Sequence, residues 1–308
     1  MPLVFPDISW SDVLLPVALG LLIAAGFRLY DYLRKELPLI IIRTGHRVGT
    51  ETPEDYGLPY EHLGLRVSPT IELDAYFVPA TAPAQANLII LHGIGSCKEA
   101  YLPNADRLCA MGYNLFLVDQ RQHGKSGGRY LTYGANEKHD VVKMVDWLET
   151  RAPGLRTGIY GNSMGAAVAL QSMDLDPRLA FGLIESTFTD LPTITYAYAR
   201  LTAGFTLPRW LTDFVLKNAG RIAGFDPWAI RPIDAAARID RPLLFIHGTA
   251  DGRIHVDHAR QLHAAATSPD KTLYLVPGGD HANLWDVGDR EYPERWFGFF
   301  ERMLETVS

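Results

Sequence analysis

The chain reads as an α/β protein: an eight-stranded, mostly parallel, doubly wound sheet with a helical insertion and an apolar N-terminal helix. Three observations predict this. Short, continuously apolar runs are bounded by glycine or charge, amphipathic stretches separate most of them, and one interval of more than fifty residues holds no strand pattern. Runs that are apolar throughout, rather than alternating, are buried on both faces, as parallel strands are. Their alternation with helices makes βα units. With 308 residues, 47% apolar and 21% charged, a packed core is within reach, and disordered or collagen-like classes are excluded. A formal charge of −6 without a Lys/Arg-rich run argues against nucleic-acid binding, which rests on phosphate neutralisation. Cys97 and Cys109 are too few for a disulfide framework and lack zinc-ligand spacing, so no metal is expected.

The elements follow in order. Residues 13–27 carry no charge. At 1.5 Å per residue they cover about 22 Å, short of a bilayer core of about 30 Å. Flanks 8–10 and 29–33 bring the stretch to spanning length, with Trp10, Tyr30 and Tyr32 where interfacial aromatics belong. Asp7 and Asp12, with no Lys or Arg before them, argue against a cleaved signal peptide. Residues 1–36 are therefore expected to anchor the chain to a membrane, although a stretch this short also permits a buried or dimer-forming helix. Arg28, Arg34 and Lys35 follow the segment, which places the rest of the chain in the cytoplasm by the positive-inside rule. Residues 37–59 connect to the main domain, 60–308. There the expected strands are 61–67, 71–78, 87–91, 114–118, 157–160, 180–184, 242–246 and 272–276, the first pair antiparallel. Helices are expected at 98–111, 136–151, 163–173, 255–266 and 292–305. The strandless interval, about 187–236, reads as a lid. Its Tyr196, Tyr198, Phe205, Trp210, Leu211, Phe214 and Val215 predict amphipathic helices with an oily inner face, a scaffold or dimer face being the other reading. Phe188, Tyr196, Phe205, Trp210, Phe214 and Trp285 are the expected pocket and lid residues.

The chemistry starts at Gly161-Asn162-Ser163-Met164-Gly165, the G-x-S-x-G pattern of a sharp strand-to-helix turn that exposes a serine. Gly124-Lys125-Ser126-Gly127-Gly128 matches too. Context separates the two. Ser163 follows an apolar strand and opens a helix of small residues, whereas Ser126 follows the charged stretch from Asp119 and precedes a loop. A phosphate-binding loop would need glycine at position 119, where Asp119 stands, so nucleotide binding is rejected.

A serine hydroxyl needs an imidazole to take its proton. His281, past the last strand in Pro277-Gly278-Gly279-Asp280-His281, lies where a loop returns to the edge carrying Ser163. His92 and His247 end strands and suit structural roles, and His255 and His258 read as a solvated helix face. Asp251, at the end of the next-to-last strand, is the expected third member, and Glu185 the rival acid. The order Ser163…Asp251…His281 is the one this architecture uses. Backbone N–H groups of Met164 and Ile94 are the expected oxyanion donors.

Together His92-Gly93, the stretch from Asp119 through Arg121, His123, Gly124 and Ser126 to Gly128, the Ser163 motif, His247-Gly248 with Asp251, and Gly279 with His281 resemble the α/β-hydrolase superfamily. The likeness is to its ABHD-type and aminopeptidase-like serine hydrolases and covers about residues 60–305. It implies ester, thioester or amide hydrolysis without metal or cofactor, and makes the Asp119–Gly128 stretch a structural turn beside the site. Gln122 departs from the pattern, glycine being common there. The leading expectation is a serine carboxylesterase or lipase-like enzyme for medium- or long-chain, lipid-like esters. An aminopeptidase or amidase, and a membrane-bound lipid-binding pseudoenzyme, are the alternatives; a homodimer is compatible with each.

Overall fold

The structure, a computed structural model, describes residues 10–45 and 47–305. Asp7 and positions 8 and 9 of the expected helix flank lie outside the described residues. The sheet is made of β1 Glu61–Ser68, β2 Ile71–Val78, β3 Ala86–Leu91, β4 Tyr113–Val118, β5 Arg156–Asn162, β6 Leu179–Glu185, β7 Leu243–Gly248 and β8 Lys271–Val276. Their order is β1-β2-β4-β3-β5-β6-β7-β8. Pairs β1–β2 and β2–β4 are antiparallel, and the rest are parallel. Every residue of β3, β4 and β7 is buried, whereas edge strands β1 and β8 alternate. Burial on both faces of the middle strands is why their sequences are continuously apolar.

Helices cover both faces. Ahead of the sheet lie α1 Trp10–Lys35 and α2 Leu39–Ile42; around it lie α3 Ala105–Met111, α4 Glu137–Arg151 and α5 Met164–Leu175. Helices α6 Leu191–Ala203, α7 Arg209–Ala223 and α8 Pro232–Ala236 fill the interval between β6 and β7. Then come α9 Asp257–Ala265, α10 Leu284–Val287 and α11 Glu291–Glu305. The helix expected over 98–111 is two pieces, a 3₁₀ segment Lys98–Asn104 followed by α3. Pro103 explains the break, because it lacks an N–H and its ring crowds the preceding turn. Val13–Ile42 is the one stretch among the described residues long and apolar enough to cross a membrane, and its most apolar 18-residue window is not buried at all.

The strand order reverses between β4, β3 and β5, and in such sheets ligands bind outside the carboxyl ends of the strands at this point. Two glycines let α5 approach that edge. A Cβ on Gly161 would lie 2.4 Å from Gly165 O, and one on Gly165 would lie 2.3 Å from Leu91 O. Both obstacles are backbone and cannot swing aside. Gly165→Ala is expected to lower stability by about 3 kcal/mol and Tm by roughly 5 °C, read by thermal unfolding of the two proteins side by side. Equal Tm values would contradict this packing.

Candidate active site

Ser163 joins β5 to α5 at φ 53°, ψ −115°. A non-glycine residue holds positive φ only where its surroundings enforce it. Here the Ser163 N–H donates to Glu185 O at 2.8 Å, and its C=O accepts from Ala166 and Ala167 of α5. The strain turns the hydroxyl off the sheet edge. His281, on the loop after β8, puts Nε2 3.1 Å from Ser163 Oγ and Nδ1 2.7 Å from Asp251 Oδ2. A carboxylate only accepts, so Nδ1 carries the proton and Nε2 is left to accept from the serine.

Asp251 follows β7 and its side chain is fully buried. Burial alone would raise its carboxyl. Hydrogen bonds from His247 and His281, the His281 charge and the Ile254 N–H outweigh that and hold it well below the usual carboxylate range. Oδ1 also accepts from Arg253 and Ile254 N–H, both at 2.8 Å. His247 Nε2 lies 2.7 Å from Ile254 O and 3.3 Å from Asp251 Oδ2. The histidine read as structural thus helps fix the carboxylate.

The loop after β3 lies against the serine turn. A Cβ on Gly93 would be 2.9 Å from Asn162 Oδ1 and 3.3 Å from Ser163 Cβ. Ser96 N–H closes a turn onto Gly93 O at 3.2 Å, with Ile94 as its second residue. Met164 is the first residue of α5. Such positions leave an N–H outside the backbone ladder.

Glu185, the rival acid, sits elsewhere. Its carboxylate accepts from Tyr292 OH (2.6 Å), Asn162 Nδ2 (2.9 Å) and Tyr160 OH (3.1 Å) beneath the serine turn. Burial raises its pKa against those three donors and the charge of nearby His281. Asp280 turns to Gly252 N–H instead. Ser126, the second motif match, is a buried strut: its Oγ donates to Asp119 O and accepts from Asp74 N–H. His255 and His258 are not one solvated face. α9 begins after His255, and buried His258 meets Thr189 Oγ1 and N. Buried His92 accepts from Gln120 N–H and is pushed down to about 3 by burial and the neighbouring His123.

The expected lid residues divide. Phe188 is buried with Ala167, Leu191, Ile194, Leu216, Ile230 and Ile254. Tyr196 is half-buried under the Arg209 guanidinium, 5.6 Å from its ring centre. Phe214 packs on Tyr30 of α1 with ring centroids 6.0 Å apart. Phe205 (63% exposed) and Trp210 (71%) face solvent, not inward. They flank the turn between α6 and α7, beyond the apolar seam where those helices meet the body. Trp285 meets Tyr292, Trp296 and Phe297 of α11 edge-on or tilted.

A parallel-centred eight-strand sheet with a strained serine turn at its carboxyl edge defines the α/β-hydrolase class. The chain belongs to that family, in its ABHD-type branch: it is 31% identical over 264 residues to the uncharacterized Bacillus subtilis protein YqkD, covering 83% of this chain and 80% of that protein. Residues 82–209 match the serine aminopeptidase S33 family of hydrolases. Human monoglyceride lipase is 26% identical over 266 residues, with 76% of this chain and 85% of that one covered. The solved esterase Pf2001 of Pyrococcus furiosus superposes with a TM-score of 0.71 at 27% identity, over 85% of this chain and 97% of that one. The chain is accordingly a hydrolase.

Proposed function

We propose that this hydrolase cleaves carboxylic esters through an acyl-enzyme on Ser163, with His281 as base and Asp251 as its orienting acid. The observation that carries the reading is the pair of contacts at His281, 3.1 Å to Ser163 and 2.7 Å to Asp251, which is nucleophile–base–orienter geometry. Ser163 Oγ attacks the carbonyl carbon while its proton passes to His281 Nε2. The tetrahedral oxyanion is received by Met164 and Ile94 N–H, each donor contributing about 3–4 kcal/mol at the transition state. His281 then protonates the leaving alcohol as the ester C–O bond breaks. Water, deprotonated by the same imidazole, releases the acid and restores Ser163.

Ester rather than aminopeptide chemistry is favoured by Glu185. An aminopeptidase needs a carboxylate free to hold the substrate ammonium, and this one is committed to Tyr160, Tyr292 and Asn162. Lipid-like esters are favoured by the N-terminal helix. The large apolar side chains of α1 from Val13 to Tyr32 are exposed, and its Tyr30, at the end expected to meet the bilayer surface, packs on Phe214 of α7. Exposed Leu201, Phe205 and Trp210 lie on the same insertion, so a membrane-anchored chain would hold its lid at the lipid surface, with the body on the cytoplasmic side where Arg34 and Lys35 end the helix. On the detergent-solubilised full chain, p-nitrophenyl esters from C2 to C16 are expected to give kcat/KM rising at least tenfold toward the medium or long chains. Aminoacyl p-nitroanilides should turn over below a hundredth of the best ester. Preference for anilides would overturn the reading.

A further inference from the structure

Five described non-glycine residues have positive φ: Ser163, Ser186 just past β6, Asp289, Gln122 (63°) and Tyr133 (55°). The last two bind one short segment far away in sequence. Gln122 Oε1 accepts from Thr44 N–H at 2.7 Å and its Nε2 donates to Thr44 O at 3.3 Å, so one amide binds both backbone groups of one residue. Tyr133 OH donates to Ile41 O at 2.6 Å, and Leu131 N–H to Ile42 O at 3.1 Å. The Arg43 guanidinium lies 5.4 Å from the Tyr130 ring centre. Ile42 is fully buried, and Ile41 packs on the cluster holding Ala167 and Phe188. Residues 41–44, directly after the apolar helix, are thus laced to the body at every position, and two strained residues hold the two ends, Ile41 and Thr44.

Their other side touches the candidate oxyanion loop. A Cβ on Gly95, itself at φ 72°, would lie 3.3 Å from Thr44 Oγ1, and Gly93 two residues earlier presses on Asn162 and Ser163. Contact therefore runs unbroken from Gln122 through Thr44 and the Gly93–Gly95 loop to the serine turn. Glycine would hold position 122 without strain; glutamine accepts the strain and gains a grip. We propose that residues 41–44 form a fixed wall of the active site, clasped by Gln122 and Tyr133, which positions the oxyanion loop and joins the N-terminal helix to the catalytic geometry. Gln122 and Tyr133 are positioning residues acting through that wall. The inference rests on the roles given above to Ser163 and Ile94.

The test uses the full-length protein carrying Gln122→Gly or Gln122→Asn. Both residues tolerate positive φ, and neither reaches Thr44. A displaced oxyanion donor is felt only at the transition state, so kcat on p-nitrophenyl butyrate, counted per fluorophosphonate-labelled serine, is expected to fall about tenfold with KM within twofold. Tyr133→Phe, which removes only the hydroxyl bond to Ile41, should lose about threefold. Trypsin cleavage at Arg43 and Arg47 should quicken at least fivefold in the Gln122 variants. A destabilised but correctly positioned site would lose labelled serine and keep kcat per label, which overturns the positioning role. Unchanged kcat per label with an unchanged cleavage rate overturns the clasp. If the unaltered protein neither labels nor turns over, the hydrolytic reading fails, and faster cleavage alone then supports the clasp while an unchanged rate overturns it.

Discussion

Ser163→Ala is expected to lower kcat on p-nitrophenyl esters by about 10⁵–10⁶-fold, the loss typical when a triad nucleophile is removed. That corresponds to about 7–8 kcal/mol of transition-state stabilisation. The residual rate comes from oxyanion donors and substrate binding, which the substitution leaves in place. Alanine meets the same φ of 53°, so strain is unchanged. What is lost is one hydrogen bond, from the hydroxyl to His281 at 3.1 Å, worth about 1 kcal/mol in folding. Tm should therefore stay within about 3 °C, while labelling by a fluorophosphonate disappears. Ser126→Ala is the matched control: its hydroxyl bridges Asp119 O and Asp74 N, so its loss is read in stability and not in the chemical step. Turnover by Ser163→Ala at the wild-type rate would remove the nucleophile assignment and the acyl-enzyme with it.

The strands were legible because their burial has a simple signature. β3, β4 and β7 are buried at every residue, and their sequences are apolar at every residue or nearly so. Strand ends moved by one or two positions, since hydrogen bonding continues into glycines such as Gly161 and Gly248 that carry no apolar signal. The three residues at the site were legible for a topological reason: each follows the carboxyl end of a parallel strand, and those ends share one edge. Orientation within the insertion was not legible. Periodicity says that α7 is two-faced but not which neighbour it meets, and Phe214 found Tyr30 of α1 while Trp210, one turn earlier, faces solvent. The Gln122–Thr44 pairing spans 78 residues and joins a side chain to backbone, so no pattern of residue types announces it; the one signal was a glutamine where glycine is common. Glu185 was visible as an acid, but its three donors come from β5 and α11, an arrangement that exists only once the sheet and the C-terminal helix have met.

Asp251→Asn should cost about 10⁴ in kcat and, unlike Ser163→Ala, should change how stability depends on acid. The amide can donate where the carboxylate only accepted, so the proton settles on Nε2 of His281 and the ring no longer accepts from Ser163. Arg253 and Ile254 N–H still find an oxygen at position 251, which keeps the loop in place. In the wild-type protein the Asp251 carboxyl is held below its ordinary value, close to 3.9 when unfolded. A group of that kind contributes stability in full above the unfolded value and loses it as pH falls toward the folded one. Tm of the wild-type chain should accordingly drop more steeply than that of Asp251→Asn between about pH 5 and pH 2, and the gap between the two proteins should narrow across that window. Melting curves collected at half-unit pH steps would show it. Parallel curves would mean that the carboxylate is not stabilised by His281 and His247 in solution, and that the imidazole is oriented by some other group.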